Sequence, residues 1–188
     1  MATTVTKEEP MERYRLSGGD NWAWATIALR SWERPTDGGF YYCGEILINS
    51  DYGNYAQCWG NMGSPLKKFL VSIGRDYLLD KLAPHSRFEF DFEGSVANVK
   101  RDIIESRRSG DLTNGQARYA WNEIPEENQG KDLFVSRLLD IPCLGDEPWH
   151  LLESRECPQI TGFYTHIWLP FVEALRAELA VVKAAATN

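Results

Sequence analysis

Three carboxylates alternate with aromatic rings in Phe88-Glu89-Phe90-Asp91-Phe92-Glu93. Alternation of this kind is a strand pattern, and it points side chains i, i+2 and i+4 to one face. Glu89, Asp91 and Glu93 would then stand roughly 7 Å apart along that face. Such a row resembles a metal cradle or a phosphate-like acidic rail. It also matches a solvated strand face whose charges discourage edge pairing. Metal-dependent hydrolysis would require more carboxylates or histidines to converge on the row.

The three histidines, His85, His150 and His166, are far apart in sequence and carry no metal-type neighbours. A general base needs a positioned partner, and the sequence names none, so each is expected to be structural. Cys43, Cys58, Cys143 and Cys157 form no C-x-x-C pair. Their spacing does not fit common zinc patterns, and Cys58, between Gln57 and Trp59, reads as core. No G-x-S-x-G elbow and no phosphate-binding loop is present. Gly60 to Pro65 reads as a hinge before a helix. No cofactor and no metal are expected.

Two other segments offer recognition chemistry. Asp51-Tyr52-Gly53-Asn54-Tyr55 has the composition of a binding loop, with Tyr52, Asn54 and Tyr55 as the candidate contacts; a hairpin whose rings pack inward is the plainer alternative. Lys100-Arg101 and Arg107-Arg108 recur seven residues apart, nearly two helical turns, and so share one stripe.

The elements that must position these groups run strands first. Trp22 to Trp32 alternates as a strand, with Trp22, Trp24, Thr26, Ala28, Arg30 and Trp32 on one face. Pro35 to Gly39 is a turn cluster, Phe40 to Ile48 a second strand, and Tyr55 to Trp59 a third after the Asn49-Ser50-Asp51 turn. Helical spacing then takes over. Ser64 and Pro65 open a helix with Leu66, Phe69, Leu70, Ile73, Tyr77 and Leu78 on one face, broken or bent at Gly74 and ended by Pro84. Ser95 is expected to cap a helix that turns Val96, Val99, Ile103 and Ile104 inward and closes at Gly110. Thr113 caps the next, which Pro125 stops. Lys131 to Ile141 and Glu147 to Ser154 read as short helices, and Ile160 to Val182 as a long one kinked at Pro170. The expected fold is α+β: an N-terminal antiparallel meander of three or four strands packed against a C-terminal set of five to six helices. Residues 1–12 read as a flexible tail, the last residues as frayed, and residues 13–183 as a single domain.

Composition narrows the function classes. The chain has 188 residues, enough to bury a proper core. It contains 7 Trp, 8 Tyr and 8 Phe, and large rings serve both cores and interfaces. Its formal charge is 20 − 27 = −7. That balance argues against sequence-independent nucleic-acid binding, which needs a basic footprint, and suits a partner with a basic surface. No window approaches a membrane span and no apolar stretch opens the chain, so a cytoplasmic home with reduced thiols is expected.

The run Asp51-Tyr52-Gly53-Asn54-Tyr55, with Cys58-Trp59, Gly63 and the helix from Leu66 to Leu82, resembles a segment of an uncharacterised bacteriophage and prophage protein family. A looser likeness continues through Ile103-Ile104, Arg107-Arg108, Ala120-Trp121, Phe163-Tyr164 and Trp168. The resemblance implies a phage setting and assigns no catalytic residue. Small acidic phage accessory proteins often bind host machinery, restriction and CRISPR complexes included. The leading expectation is thus a binding protein, not an enzyme, that engages a host or phage macromolecule as an acidic inhibitor. It would use Tyr52, Asn54, Tyr55, Glu89, Asp91 and Glu93. The alternatives are a metal-dependent hydrolase of nucleotides or nucleic acid, and a single-strand binder using exposed rings and the Lys100 to Arg108 stripe.

Overall fold

The computed structural model describes residues 3–7, 9–18, 23–145 and 147–185. Trp22, part of the expected tail (Met1, Ala2, Glu8) and Ala186 to Asn188 lie outside the described residues. The chain forms two compact units, one of Met1–Arg87 with Cys157–Asn188, the other of Phe88–Glu156.

The first unit is built on a four-stranded antiparallel meander in the order β1 (Glu12–Ser17), β2 (Trp24–Thr36), β3 (Gly39–Ser50) and β4 (Gly53–Met62). The turn residues sit where the Asp-Gly and Asp-Tyr-Gly chemistry puts them: Thr36 pairs with Gly39, and Ser50 with Gly53. Register decides which face is buried, because directly paired residues share a face. Ala25, Ile27 and Leu29 of β2 meet Ser50, Ile48 and Ile46 of β3, and all six are buried. The opposite face of β2 carries Trp24 and Trp32, both partly exposed, so the aliphatic side of the strand became core and the tryptophan side did not. The reason is complementarity: the branched aliphatic row packs flat against helices, while the tryptophan row is interrupted by Thr26 and Arg30, the latter paired with Glu45 across the strands at 2.8 Å.

Two short helices follow, α1 (Leu66–Ser72) and α2 (Arg75–Leu82), separated at Gly74 as expected. Ser64 does not cap α1; Pro65 itself is the N-cap residue, with no side-chain cap bond. Leu66, Leu70 and Leu78 enter the core, whereas Tyr77 is partly exposed. The first unit resumes at Cys157, whose amide donates to the Arg87 carbonyl at 2.9 Å. The last rod comprises α6 (Pro158–Phe163), a π-helical turn (Tyr164–Trp168) and α7 (Leu169–Ala185). Pro170 cannot donate to the carbonyl four residues back, and the ladder widens just before it. The Leu169 amide accordingly donates to the Tyr164 carbonyl, five residues earlier. Phe163, Ile167, Phe171 and Leu175 are buried against the sheet's aliphatic face.

The second unit contains β5 (Phe88–Asp91), α3 (Phe92–Ser109), α4 (Asn114–Glu123), α5 (Lys131–Leu139), two 3-10 turns (Pro142–Leu144 and Pro148–Leu151) and β6 (Glu153–Glu156). Thr113 and Gln116 form a reciprocal capping box at the start of α4. Gly110 ends α3 with a φ of 93°, a left-handed conformation that suits glycine. Three expectations change here. The alternating run is a strand only to Asp91, because the Asp91 carboxylate caps α3; Ser95 lies inside that helix. Glu147 to Ser154 is a 3-10 turn entering a strand and not a helix, since β6 pairs antiparallel with β5. Ile104 faces outward, while Val99 and Ile103 are buried beside Phe92, Phe134 and Leu138. Taken as one rod, the three segments at the C-terminus make the last of six helices among the described residues, and the fold is α+β.

Candidate functional site

The carboxylate row becomes a cluster around one arginine. β5 presents Glu89 and Asp91, and the first turn of α3 presents Glu93. Register places Arg155 of β6 opposite Glu89. Arg155 Nε donates to Glu89 Oε1 at 2.9 Å, and Nη1 lies 3.5 Å from Glu93 Oε2 and 3.9 Å from Asp91 Oδ1. The bond to Glu89 raises the Arg155 pKa above its ordinary value; desolvation opposes it, and the fields of Glu89, Glu93 and Asp91 add to the rise. Exposed pairs of this kind add little stability. Their effect is positional: one cation gathers three anions, so the four groups carry a net formal negative charge on one surface.

Each carboxylate does a different job. Asp91 Oδ1 accepts the Gly94 amide at 3.1 Å, so its charge sits at the positive end of α3. A Cβ at Gly94 would stand 2.6 Å from Asp91 Oδ2, so only glycine permits that approach. Ser95, fully buried, donates to the Asp91 carbonyl at 2.6 Å and accepts the Glu153 amide at 2.8 Å, tying the helix start to β6. Glu93 is the most exposed of the three, its side chain 75 % accessible. Arg155 escaped the sequence reading because its partner lies 66 residues away and β6 lacks an alternating apolar pattern. A lone arginine among Glu153 and Glu156 was the one available signal.

The Tyr52 to Tyr55 segment is held differently from a free loop. Tyr55 is buried, its ring 4.4 Å from that of Phe163, and burial, followed by the charge of Cys157, raises its phenol pKa. Its hydroxyl donates to the Tyr52 carbonyl at 2.7 Å. The Tyr52 ring, half-buried, stacks on His166 at 5.8 Å and 22°. Asn54 alone of the three is exposed. The turn is therefore pinned on its helix side and open only at Asp51 and Asn54.

His85 is exposed in the turn after α2, and His150 Nδ1 lies 2.7 Å from the Glu147 carbonyl oxygen. Cys58, read as core, is exposed, because its side of β4 is the sheet's open face; Cys43 is buried, and all four cysteines are free thiols. Among the described residues no group of three or more His, Cys, Asp or Glu side chains could hold a metal ion. No described helix is long and apolar enough to cross a membrane.

A family model described as "Phage family" matches residues 4–177. The match covers both units, and the chain belongs to this phage protein family. No curated protein and no solved structure matches it.

Proposed function

We propose that this member of the phage family is an accessory protein that acts by binding, in the host cytoplasm, a host or phage macromolecule with a basic surface. The observation that carries the reading is the preorganised Glu89, Asp91 and Glu93 cluster, held by Arg155. Anions fixed in place lose less freedom on docking than mobile ones. A rigid acidic surface on a chain of charge −7 suits competition with nucleic acid for a basic groove, as an inhibitor of a host-defence nucleic-acid complex would require. Asn54 at the exposed turn is a second candidate contact; Tyr52 and Tyr55 would act by holding that turn in shape.

The test uses tagged protein in bacterial host extract, with bound proteins identified and eluted by salt. The wild type should retain a nucleic-acid-handling partner at low salt and release it at high salt. The double variant Glu89→Lys with Glu93→Lys should lose that partner while keeping its circular dichroism. Retention by the variant would overturn the acidic-surface reading. Asp91 is left intact because it also caps α3.

A further inference from the structure

The α3–α4 pair carries a second surface of opposite character. A groove of about 490 Å³ runs between the two helices. Ile104, Arg107 and Arg108 line it from α3, and Ala117, Arg118 and Trp121 line it from α4. The spacing is helical on both sides, since each set spans little more than one turn. Ile104 is 40 % and Trp121 42 % exposed, which leaves apolar area of both open to solvent. Three guanidinium groups and no carboxylate line the groove. Arg107 is steadied by Asn114, which accepts its Nε–H. Lys100, over the Trp121 ring at 5.2 Å, adds a fourth positive charge beside it. On a chain of net charge −7 this strip runs against the overall balance.

We infer that the α3–α4 groove docks an acidic amphipathic helix of a partner protein, its apolar ridge on Ile104 and Trp121 and its carboxylates on Arg107, Arg108 and Arg118. Charge complementarity selects the acidic partner, because arginine pairs with carboxylates through two parallel hydrogen bonds. The apolar floor selects a helix ridge, the usual occupant of a cleft between two helices. Tryptophan and arginine are also the residues that dominate binding energy at interfaces. A single nucleic-acid strand fits less well: the Trp121 ring is already covered on one side by Lys100, and Ile103, Ile104 and Ala117 offer no plane for a base.

The experiment is an amide NMR titration of the whole chain with three probes. The first is a helical peptide of about fourteen residues, or four turns, with Leu at i, i+3, i+4 and i+7 and Glu elsewhere. The second is its scrambled sequence, and the third an oligothymidylate. Shifts confined to α3 and α4, saturable with the amphipathic peptide and at least about tenfold weaker for the scramble and for Arg107→Glu with Arg118→Glu, support the inference. Trp121→Ala, which leaves the charges in place, should weaken the peptide comparably. The inference is overturned by equal binding of peptide and scramble, by unchanged affinity in the charge variant, or by no binding at all. Oligothymidylate saturating the groove in preference to the peptide overturns it too, and marks a nucleic-acid site. None of these outcomes depends on Glu89 or Glu93, so the two surfaces are judged separately.

Discussion

The ring of Tyr52 lies on the backbone of Gly162, with so little space that a Cβ at Gly162 would fall 2.9 Å from Tyr52 Cδ1 and closer still to Cε1. Glycine at this point of α6 is thus required by close approach and not by its own dihedrals. The contact fastens the β3–β4 turn to the C-terminal rod. Gly162→Ala should destabilise the protein by about 1–3 kcal/mol, the usual cost of overpacking. The double variant with Tyr52→Ala should cost less than the sum of the two single changes, since each removes the reason for the other. Urea midpoints measure all three, and strict additivity would show that the two residues do not touch.

The second prediction concerns pH. Lys67 lies between Glu12 and Glu178 and donates to both, and the Tyr14 hydroxyl stands 2.9 Å from each carboxylate. Burial is the main reason that the Tyr14 pKa is pushed up to about 12 from 10.0. A group with a raised folded pKa stabilises fully below its unfolded value, so this contribution is present below pH 10 and lost as pH rises toward 12. Glu178 is lowered by its bonds from Lys67 and then Tyr14, so its contribution is present above 4.5 and lost as pH falls below that. The melting temperature should therefore fall at both ends. Tyr14→Phe should shallow the alkaline limb without abolishing it, since Lys67, pushed down by burial but raised overall by its bonds to Glu12, Glu178 and Tyr14, also loses its charge there. Most of the acid limb should stay, because Lys67 remains. An alkaline limb unchanged in Tyr14→Phe would assign it to other groups.

A third prediction separates the members of the acidic cluster. Asp91→Ala removes the N-cap of α3 and should cost about 0.5–2 kcal/mol in thermal or urea unfolding. Glu93→Gln removes a comparable charge at an exposed position and should stay within about 0.5 kcal/mol. Equal costs would mean that the cap bond to Gly94 contributes nothing.

The two faces of the sheet give a fourth. Phe163→Ala empties a fully buried site against Tyr55 and should cost about 3–5 kcal/mol. Trp24→Ala, on the open face, should cost far less despite the larger ring. Chemical denaturation decides; the reverse order would place the core on the wrong side of β2.

Local chemistry carried most of the element boundaries. The break at Gly74, the Thr113 cap, the Gly110 stop and the two hairpin turns follow from residues adjacent in sequence, because caps and turns are satisfied within a few residues. β1 carries a weaker local signal. Its Tyr14 and Leu16 alternate over only six residues among charges, and it gains its identity from the ladder it makes with β2. β6 has no pattern of its own and exists because β5 offers it an edge.

By itself the sequence determined an α+β protein with strands first and helices after, and its membership of a phage protein family, which the family model matches over residues 4–177. Hydrophobic periodicity and turn chemistry are local, and a family pattern is linear, so both can be read along the chain. Only tertiary structure decided that the tryptophan face of β2 stays open, that Tyr55 is core, that Arg155 gathers Glu89, Asp91 and Glu93, and that Ile104 and Trp121 share a groove with three arginines. Each of these depends on which distant residue lies opposite, and that is set by register and helix packing, which no local window contains.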